Sequence, residues 1–320
     1  ANAFGHIVRE AEKYQDRDIR LFDCRKILAD YQSAREQKEL QTESVYVYGG
    51  INLDEMILKY NFYAGEDNGY DKNIYLSYCV LCITSKCSLK CKNCAAFVTR
   101  YKEPADYSLE YVKSVFGKFL NVIDGIQELE LMGGEPFLCH DFNDILEWCL
   151  TQDKIQTIKI ITNGTIIPKE ETWKLLGNKK VKLVIDDYGT LSRHYTDLVK
   201  LSEEYHVRYD VQKLQTWYQL EPVMKKGNTD QRKKEIFQDC VFRTCVGVTN
   251  GRLYHCNVSG HMNTVGLLSD AESDFIELQN KDWNNNELKE TVRDFLSIPY
   301  LRACDYCNYS AHVEVLVAEQ

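Results

Sequence analysis

The sequence predicts an α/β protein whose strands run parallel in one sheet. Three observations predict this class: apolar, β-rich runs of strand length recur between residues 74 and 212, segments with helical spacing separate them, and the connections are short. Strand–helix repetition of this kind builds βαβ units and hence a parallel sheet, open or closed. In such folds the ligand site lies at the carboxyl ends of the strands.

The elements follow one another in a regular order. The predicted strands are the apolar runs at 74–84, 128–134, 157–164, 181–189 and 207–212. The predicted helices are the segments at 108–123, 141–150, 169–177 and 194–205. Ser108 stands just before the first helix, where a serine hydroxyl accepts a hydrogen bond from an unpaired backbone N–H, so we expect it to be the N-cap.

The composition excludes several classes of protein. The chain has 320 residues, 44% of them hydrophobic, which suffices for a real core, and a net charge of -9. This acidic balance argues against broad binding to nucleic acid or to anionic membranes. No apolar run approaches 18 residues, and residues 1–14 contain no apolar signal-peptide core. We therefore expect a cytoplasmic protein with neither a nucleic-acid nor a membrane partner.

Thirteen cysteines in a reducing compartment indicate metal or redox chemistry rather than disulfides. Eight of them form two groups, namely Cys87, Cys91 and Cys94, and then Cys240, Cys245, Cys256, Cys304 and Cys307. The other five stand among apolar neighbours and are expected to be small core residues: Cys24, Cys79, Cys82, Cys139 and Cys149.

The first group lies in the sequence CSLKCKNC, residues 87–94, directly after the first strand of the alternating region. Three thiolates bind a metal or a cluster, yet a closed structural zinc site needs four ligands. Either a fourth ligand comes from elsewhere in the chain, or one coordination position is meant to stay open.

Further loops with a binding character follow the next three strands. They are GGEP at 133–136, TNGT at 162–165 and DDYG at 186–189. Gly133 and Gly134 expose backbone N–H and C=O groups that can bind the ammonium group of an amino acid. Because the carboxyl ends of parallel strands meet at one edge of the sheet, these loops and the cysteine loop are predicted to share a pocket.

The region after residue 213 loses the alternation and contains a second cysteine-bearing module. Residues 245–257 predict a β-hairpin, with two β-rich runs around Asn250-Gly251. A two-residue loop there places Val248 opposite Leu253 and Cys245 opposite Cys256, which lie about 5 Å apart if they face each other. Downstream, CDYC at 304–307 adds a Cys-x-x-Cys.

CSLKCKNC together with MGGEP resembles the radical S-adenosylmethionine (SAM) enzymes, over roughly residues 75–215. The resemblance implies a partial (β/α)6 TIM-type barrel, a [4Fe-4S] cluster on three thiolates, and SAM bound to the fourth iron through its amino and carboxylate groups. It also implies reductive cleavage of SAM to methionine and a 5′-deoxyadenosyl radical, which abstracts a hydrogen atom. A reducing partner such as flavodoxin or ferredoxin would supply the electron.

The same resemblance assigns roles to individual residues. It assigns Cys87, Cys91 and Cys94 to the cluster, Gly133, Gly134 and Glu135 to the amino end of SAM, and Thr162 and Asn163 to the ribose. Asp186 and Asp187 are pocket candidates. In the family the residue before the third cysteine is often aromatic and covers the adenine; here it is Asn93, so we expect Phe97 to contribute to that contact.

The C-terminal module resembles the auxiliary-cluster domains of the same superfamily. Cys240, ten residues, Gly251, four residues and Cys256 match the start of the SPASM pattern, and no cysteine follows Cys307. The shorter twitch version implies one auxiliary [4Fe-4S] cluster on four thiolates, namely Cys240, Cys256, Cys304 and Cys307. The hairpin register makes Cys245 a rival to Cys240, and four thiolates suit tetrahedral zinc as well.

These assignments divide the chain into an N-terminal extension of unknown role at 1–72, a radical SAM core at 73–235 and a twitch/SPASM-like domain at 236–320. The favoured substrate is a carbohydrate or related small polar molecule that is dehydrogenated or epimerised. If it is epimerised, Cys245 or Cys139 is a candidate to return the hydrogen atom. The alternatives are maturation of a ribosomally made peptide and, in another class, a non-catalytic zinc-binding interaction protein.

Overall fold

The computed structural model describes residues 46–47, 51–52, 74–240 and 242–320. The chain divides into two compact units, Ala1–Lys72 and Asn73–Gln320. In the first unit, strands β1 (Tyr46–Val47) and β2 (Ile51–Asn52) pair antiparallel. The helical patches predicted for the first 70 residues, and Cys24, lie outside the described residues.

The second unit is built on an eight-stranded sheet with the order β11-β10-β9-β3-β4-β5-β6-β7. Its central strands β3 to β7 are all parallel. They are β3 (Tyr75–Cys82), β4 (Gly125–Met132), β5 (Ile155–Thr162), β6 (Val181–Asp186) and β7 (Tyr209–Gln212). The predicted α/β class with a mainly parallel sheet is therefore confirmed.

Four helices connect these strands: α1 (Leu109–Val122), α2 (Phe142–Leu150), α3 (Glu170–Leu176) and α4 (Tyr195–Glu204). The hydroxyl of Ser108 accepts a hydrogen bond from the Tyr111 backbone N–H at 3.2 Å, so the predicted N-cap is confirmed. Strands in sequential order with right-handed crossovers place all of these helices on one face of the sheet. The alternate residues Leu129, Leu131 and Ile158 have no exposed surface.

The other face of the sheet, here called the inner face, carries Tyr78, Glu130 and Lys159. The register pairs Val80 with Glu130 and Glu130 with Lys159, so these side chains point to the same side. Strands of a parallel sheet are usually apolar on both faces. The charged residues of the inner face therefore depart from what core packing alone would select.

The predicted hairpin forms β9 (Cys245–Thr249) and β10 (Arg252–Tyr254), with positive φ angles at Asn250 and Gly251. Val248 faces Leu253 as predicted. The predicted pairing of Cys245 with Cys256 is absent from the hairpin ladder, because the last pair is Tyr254 with Gly247 and Cys256 is the N-cap of helix α6 (Asn257–Thr264).

The hairpin continues the core sheet. Strand β9 pairs parallel with β3, with Cys245 beside Tyr78, and β11 (Phe275–Glu277) extends the edge beyond β10. The chain also forms α5 (Asp230–Gln238), α7 (Asn285–Leu296) and a two-stranded sheet of β8 (Thr216–Tyr218) and β12 (Glu314–Leu316). A domain boundary near residue 236 stays a prediction. None of the helices in the described ranges is apolar and long enough to span a membrane.

Two glycines allow a matched test of this architecture. Gly251 has a φ of 78°, and a Cβ built on it would lie 2.7 Å from the Cβ of Gln279. Gly117 lies in the middle of α1 with no atom within 4 Å of such a Cβ. We expect Gly251→Ala to lower the free energy of unfolding by about 1–2 kcal/mol, and Gly117→Ala to raise it by about 0.5–1 kcal/mol.

Urea unfolding of both variants beside the wild type measures the two effects. If Gly251→Ala is as stable as Gly117→Ala, the turn described at 250–251 is wrong.

Candidate functional site

The three cysteines of the first loop lie close together at the carboxyl edge of the sheet. Burial raises the pKa of Cys87 to about 11, and the neighbouring thiols of Cys94 and Cys91 add to this. Burial also raises the pKa of Cys91 and of Cys94. A bound metal or cluster would reverse this balance, because coordination deprotonates a thiol.

Hydrogen-bond donors surround the three sulfur atoms. The Leu89 backbone N–H donates to Cys87 Sγ at 3.4 Å, and Gln320 Nε2 donates to Cys91 Sγ at 3.2 Å. The backbone N–H groups of residues 96–98 face the sulfur of Cys94. This arrangement suits three sulfur atoms that carry negative charge. Within residues 74–240 and 242–320, no three His, Cys, Asp or Glu side chains are arranged to hold a single metal ion.

The GGEP loop packs directly against the cysteine loop. A Cβ built on Gly134 would lie 2.6 Å from the Cβ of Cys87, which is closer than real side chains come. The Glu135 backbone N–H donates to the carbonyl of Lys86 at 2.8 Å. Only glycine at position 134 therefore allows the backbone of the loop after β4 to approach the cysteine loop after β3.

The carboxylate of Glu135 is fully buried and is hydrogen-bonded to the loops around it. It accepts hydrogen bonds from Thr162 Oγ1 at 3.0 Å, from the Asn163 N–H at 2.9 Å and from the Phe137 N–H at 3.3 Å. Burial raises its pKa to about 7, while these N–H groups lower it. Glu135 thus ties the loop after β4 to the loop after β5, and its contact with SAM stays a prediction.

The TNGT loop also reaches the cysteine loop. Asn163 Nδ2 lies 3.6 Å from Cys87 Sγ and 3.2 Å from Ser88 Oγ, and it donates to both. Its Oδ1 accepts from the Thr165 N–H at 3.0 Å, which fixes the orientation of the amide. The structure therefore brings Asn163 to the cluster loop, whereas the predicted contact of Thr162 and Asn163 with ribose is untested.

Two aromatic residues beside the cysteine loop were not predicted. The rings of Tyr188 and Trp217 meet edge to face at 5.7 Å, and both pack against Leu89 and Cys91. Tyr188 belongs to the DDYG loop, whose two aspartates were the predicted pocket residues. Trp217 comes from β8, outside the alternating region, and its sequence carries no signal for this position.

Asp186 lies under Tyr188 at the end of β6. Its Oδ2 accepts a hydrogen bond from the Tyr188 hydroxyl at 2.7 Å, while its buried Oδ1 has no hydrogen-bond partner among the described residues. Burial raises the pKa of Asp186 to about 6. A buried acceptor without a partner indicates a place for a ligand or a water molecule. Asp187 instead pairs with Lys213 at 3.1 Å on the surface side.

Phe97 is buried in the core. Its backbone has a φ of 48°, and its ring is 1% exposed within an apolar cluster that includes Leu220, Phe237 and Met262. The side chain of Asn93 faces the same segment as Phe97. Its Oδ1 accepts hydrogen bonds from the backbone N–H groups of Leu220 and Glu221 at 3.1 and 3.2 Å. Both residues thus pack against the segment around Leu220, and the contact of Phe97 with adenine stays a prediction.

Four cysteines of the second group line one apolar cavity. They are Cys240, Cys256, Cys304 and Cys307, and the other lining residues include Leu220, Phe237, Met262 and Tyr309. Burial raises the pKa of Cys256 well above its usual value, and Cys240, Cys245 and Cys307 add to the effect. These are the four thiols that the family pattern selects. Cys245 does not line the cavity.

The two candidate hydrogen donors occupy different surroundings. Cys245 begins β9 beside Tyr78 on the inner face, and its pKa is raised to about 12 by burial and then by Glu130. Cys139 follows the turn Pro136–Leu138, and its Sγ donates to the carbonyl of Ile83 at 3.4 Å. Burial raises its pKa to about 12 as well. Both thiols therefore stay protonated at neutral pH.

Comparison with known proteins gives a family for the central segment. Residues 81–209 match the Radical SAM superfamily model. Two curated relatives are the GTP 3′,8-cyclases of Mannheimia succiniciproducens, 29% identical over 112 residues, and of Pasteurella multocida, 30% identical over 120 residues. The matches cover 34% and 37% of this chain and 33% and 35% of those proteins, so the chain spans about a third of the relatives' length.

Solved structures with a similar chain course have lower identities. BtrN in complex with AdoMet and 2-DOIA is 16% identical with a TM-score of 0.43, over 74% of this chain and 94% of that one. Streptococcus suis SuiB bound to S-adenosylmethionine is 14% identical with a TM-score of 0.43, over 88% of this chain and 82% of that one.

The segment that matches the family model contains all four loops at the carboxyl edge of the sheet. Three of these loops are joined by the contacts of Gly134, Glu135 and Asn163 around the sulfur of Cys87. Residues 81–209, the part of the chain that carries these loops, match the Radical SAM superfamily.

Proposed function

We propose that this chain is a radical SAM enzyme acting on a small polar substrate, with a carbohydrate as the favoured class. The observation that carries the proposal is the close approach of the Gly134 backbone to Cys87, whose thiol interacts with the thiols of Cys94 and Cys91. Cys87, Cys91 and Cys94 would hold a [4Fe-4S] cluster and leave one iron for SAM. When bound, the cluster and SAM supply a carbon-centred radical that abstracts a hydrogen atom.

The chain's own residues would bind and orient SAM. The backbone groups of Gly133 and Gly134 would contact its amino end, and Asn163 would hold the edge of the cluster loop. We propose Tyr188 and Trp217, rather than Phe97, for contact with the adenine, because they pack against the cysteine loop. Asp186 Oδ1 is a buried acceptor without a protein donor among the described residues, which suits a hydroxyl group of the substrate rather than of SAM.

We also propose a second [4Fe-4S] cluster on Cys240, Cys256, Cys304 and Cys307. Their cavity is lined mainly by apolar side chains, which would keep water from the cluster. Such a cluster could accept an electron from the substrate, so dehydrogenation is the favoured outcome. An external donor such as flavodoxin or ferredoxin would reduce the first cluster, and residues 236–320 would then form the auxiliary domain.

Epimerisation is the second candidate, and the position of Cys245 favours it. Its thiol stays protonated on the inner face and does not line the cavity of the other four cysteines. A protonated thiol can return a hydrogen atom to a substrate radical. Cys139 suits this role less well, because its thiol is already bonded to the carbonyl of Ile83.

Removal of the three loop cysteines should abolish SAM cleavage. We expect the Cys87→Ala/Cys91→Ala/Cys94→Ala variant to make no 5′-deoxyadenosine with dithionite, and to keep about four of the wild type's roughly eight irons per chain. The measurement is iron and sulfide content after anaerobic reconstitution, together with chromatography of the nucleoside product. The Cys304→Ala/Cys307→Ala variant is the matched control and should still cleave SAM.

Production of 5′-deoxyadenosine by the triple variant would refute the assignment of the first cluster. Zinc without iron in the wild-type protein would refute the enzyme altogether and favour the zinc-binding alternative.

A second pair of variants separates the two rival cysteines. Because Cys240 lines the cavity and Cys245 does not, Cys240→Ala should lose about four irons per chain and Cys245→Ala should lose none. Both positions are compared by iron content and by the visible spectrum after reconstitution. The reverse result would assign Cys245 to the auxiliary cluster and remove it as a hydrogen donor.

A further inference from the structure

A group of polar side chains occupies the inner face of β3, β4 and β5. In a (β/α) barrel this face is normally filled by branched apolar residues. Here Tyr78, Glu128, Glu130 and Lys159 stand at neighbouring positions, since the register pairs Tyr78 with Glu128 and Glu130 with Lys159. Packing of a barrel interior does not require any of these four residue types.

The four side chains form one network. Lys159 Nζ lies 3.0 Å from Glu128 Oε1 and 3.3 Å from Glu130 Oε2. The same ammonium group stands 4.3 Å from the centre of the Tyr78 ring, and the Tyr78 hydroxyl donates to Glu130 Oε2. Their orientations are therefore fixed by the protein before any ligand arrives.

The network is largely removed from water. The side chains of Glu130, Lys159 and Glu128 are 8%, 16% and 29% exposed. Burying charges at these positions opposes folding, and an apolar set of similar volume is often at least as stable. A role other than stability would explain why charged residues stand here.

Asp186 adds a carboxylate to the same side of the sheet. The register places Lys182, the partner of Lys159 on β6, four residues before Asp186, so both lie on the inner face. Asp186 is 8% exposed, and its Oδ1 finds no hydrogen-bond donor in the part of the chain that the structure describes. We name Tyr78, Glu128, Glu130, Lys159 and Asp186 the acceptor patch.

The charge of the acceptor patch limits its ligands. It contains three carboxylates, from Glu128, Glu130 and Asp186, and one ammonium group, from Lys159. Carboxylates accept hydrogen bonds from hydroxyl and ammonium groups, whereas a phosphate or carboxylate on a ligand would be repelled. The patch therefore suits a neutral or cationic molecule that carries several hydroxyl or amino groups.

The patch also lies where a substrate would have to be. It is on the inner face two to four residues before the ends of β4 and β5, whose following loops pack against Cys87. The thiol of Cys245, whose pKa is raised in part by Glu130, borders it from β9. A ligand on the patch would thus lie between the cysteine loop and the first residue of β9.

We propose that the acceptor patch is the substrate-recognition subsite, and that it selects a polyhydroxylated or amino-bearing molecule without acidic groups. The proposal rests on the proposed function, because it presumes that the inner face receives the substrate. A purely structural role, in which the ion pairs fix the register of the strands, is the competing explanation.

The experiment compares an inner-face variant in which the whole network is replaced, Tyr78→Phe/Glu128→Leu/Glu130→Leu/Lys159→Met, with Arg252→Met, each in the full chain reconstituted with iron. Arg252 pairs with Asp270 at 2.8 Å and with Glu277 at 3.1 Å, so it forms an ion-pair network on β10 and β11, at the edge of the sheet and outside the acceptor patch. Thermal unfolding and saturation-transfer NMR are measured for both variants and the wild type, with glucosamine, glucose and glucose 6-phosphate as probes.

We expect glucosamine and glucose to show saturation transfer with the wild type and with Arg252→Met, and glucose 6-phosphate to show none. The inner-face variant should lose the glucosamine and glucose signals while its unfolding temperature is unchanged or higher. Arg252→Met should unfold at a lower temperature, because it leaves the half-buried Glu277 and the buried Asn263 Oδ1 without this partner.

Three results would overturn the proposal. A fall in unfolding temperature for the inner-face variant as large as that for Arg252→Met would make the patch structural. Stronger transfer to glucose 6-phosphate than to glucosamine would refute the ligand class, and absence of transfer from all three probes in the wild type would refute sugar-like recognition. Formation of 5′-deoxyadenosine by the wild type is measured separately, so a failure of the radical SAM function is distinguished from a failure of the patch.

Discussion

The approach of the Gly134 backbone to Cys87 is the contact on which the rest of the site depends. No side chain fits between the two loops, because a Cβ at 134 would overlap the Cβ of Cys87. The hydrogen bond from the Glu135 N–H to the Lys86 carbonyl then fixes the second loop against the first. Since the Glu135 carboxylate is bonded in turn to Thr162 and Asn163, three strand ends are held as one unit around the cysteine sulfurs.

Burial is the second constraint, and it acts on a thiol and two carboxyl groups at this edge of the sheet. It raises the pKa of Cys87 to about 11, of Glu135 to about 7 and of Asp186 to about 6. Glu135 is compensated by three N–H and O–H donors, whereas Asp186 Oδ1 has none in the described part of the chain. The hydrogen bonds between the loops are therefore satisfied, whereas the carboxylate of Asp186, which faces the interior, still lacks a donor.

Local patterns predicted much of this arrangement. The apolar runs located the five parallel strands, and Asn250-Gly251 located the hairpin turn. The resemblance to the twitch pattern implied the four thiols that line one cavity, with Cys245 as a rival to Cys240. Contacts between distant segments could not be predicted in this way. The pairing of β9 with β3, and the positions of Phe97 and Trp217, depend on how residues beyond 213 fold back. The charges at Glu128, Glu130 and Lys159 were visible as alternation within strands, but only the register shows that they meet.

The pairing of β9 with β3 also decides how the two groups of cysteines are related. Strand β3 leads into the loop of Cys87, and β9 begins five residues after Cys240 and is followed by Cys256 at the start of α6. The first group and two members of the second, Cys240 and Cys256, are thus attached to strands of one hydrogen-bonded sheet. Their separation is set by backbone geometry, which changes little without breaking the ladder. A substrate on the inner face would therefore meet both groups in a fixed geometry, so selection must come from the side chains on that face.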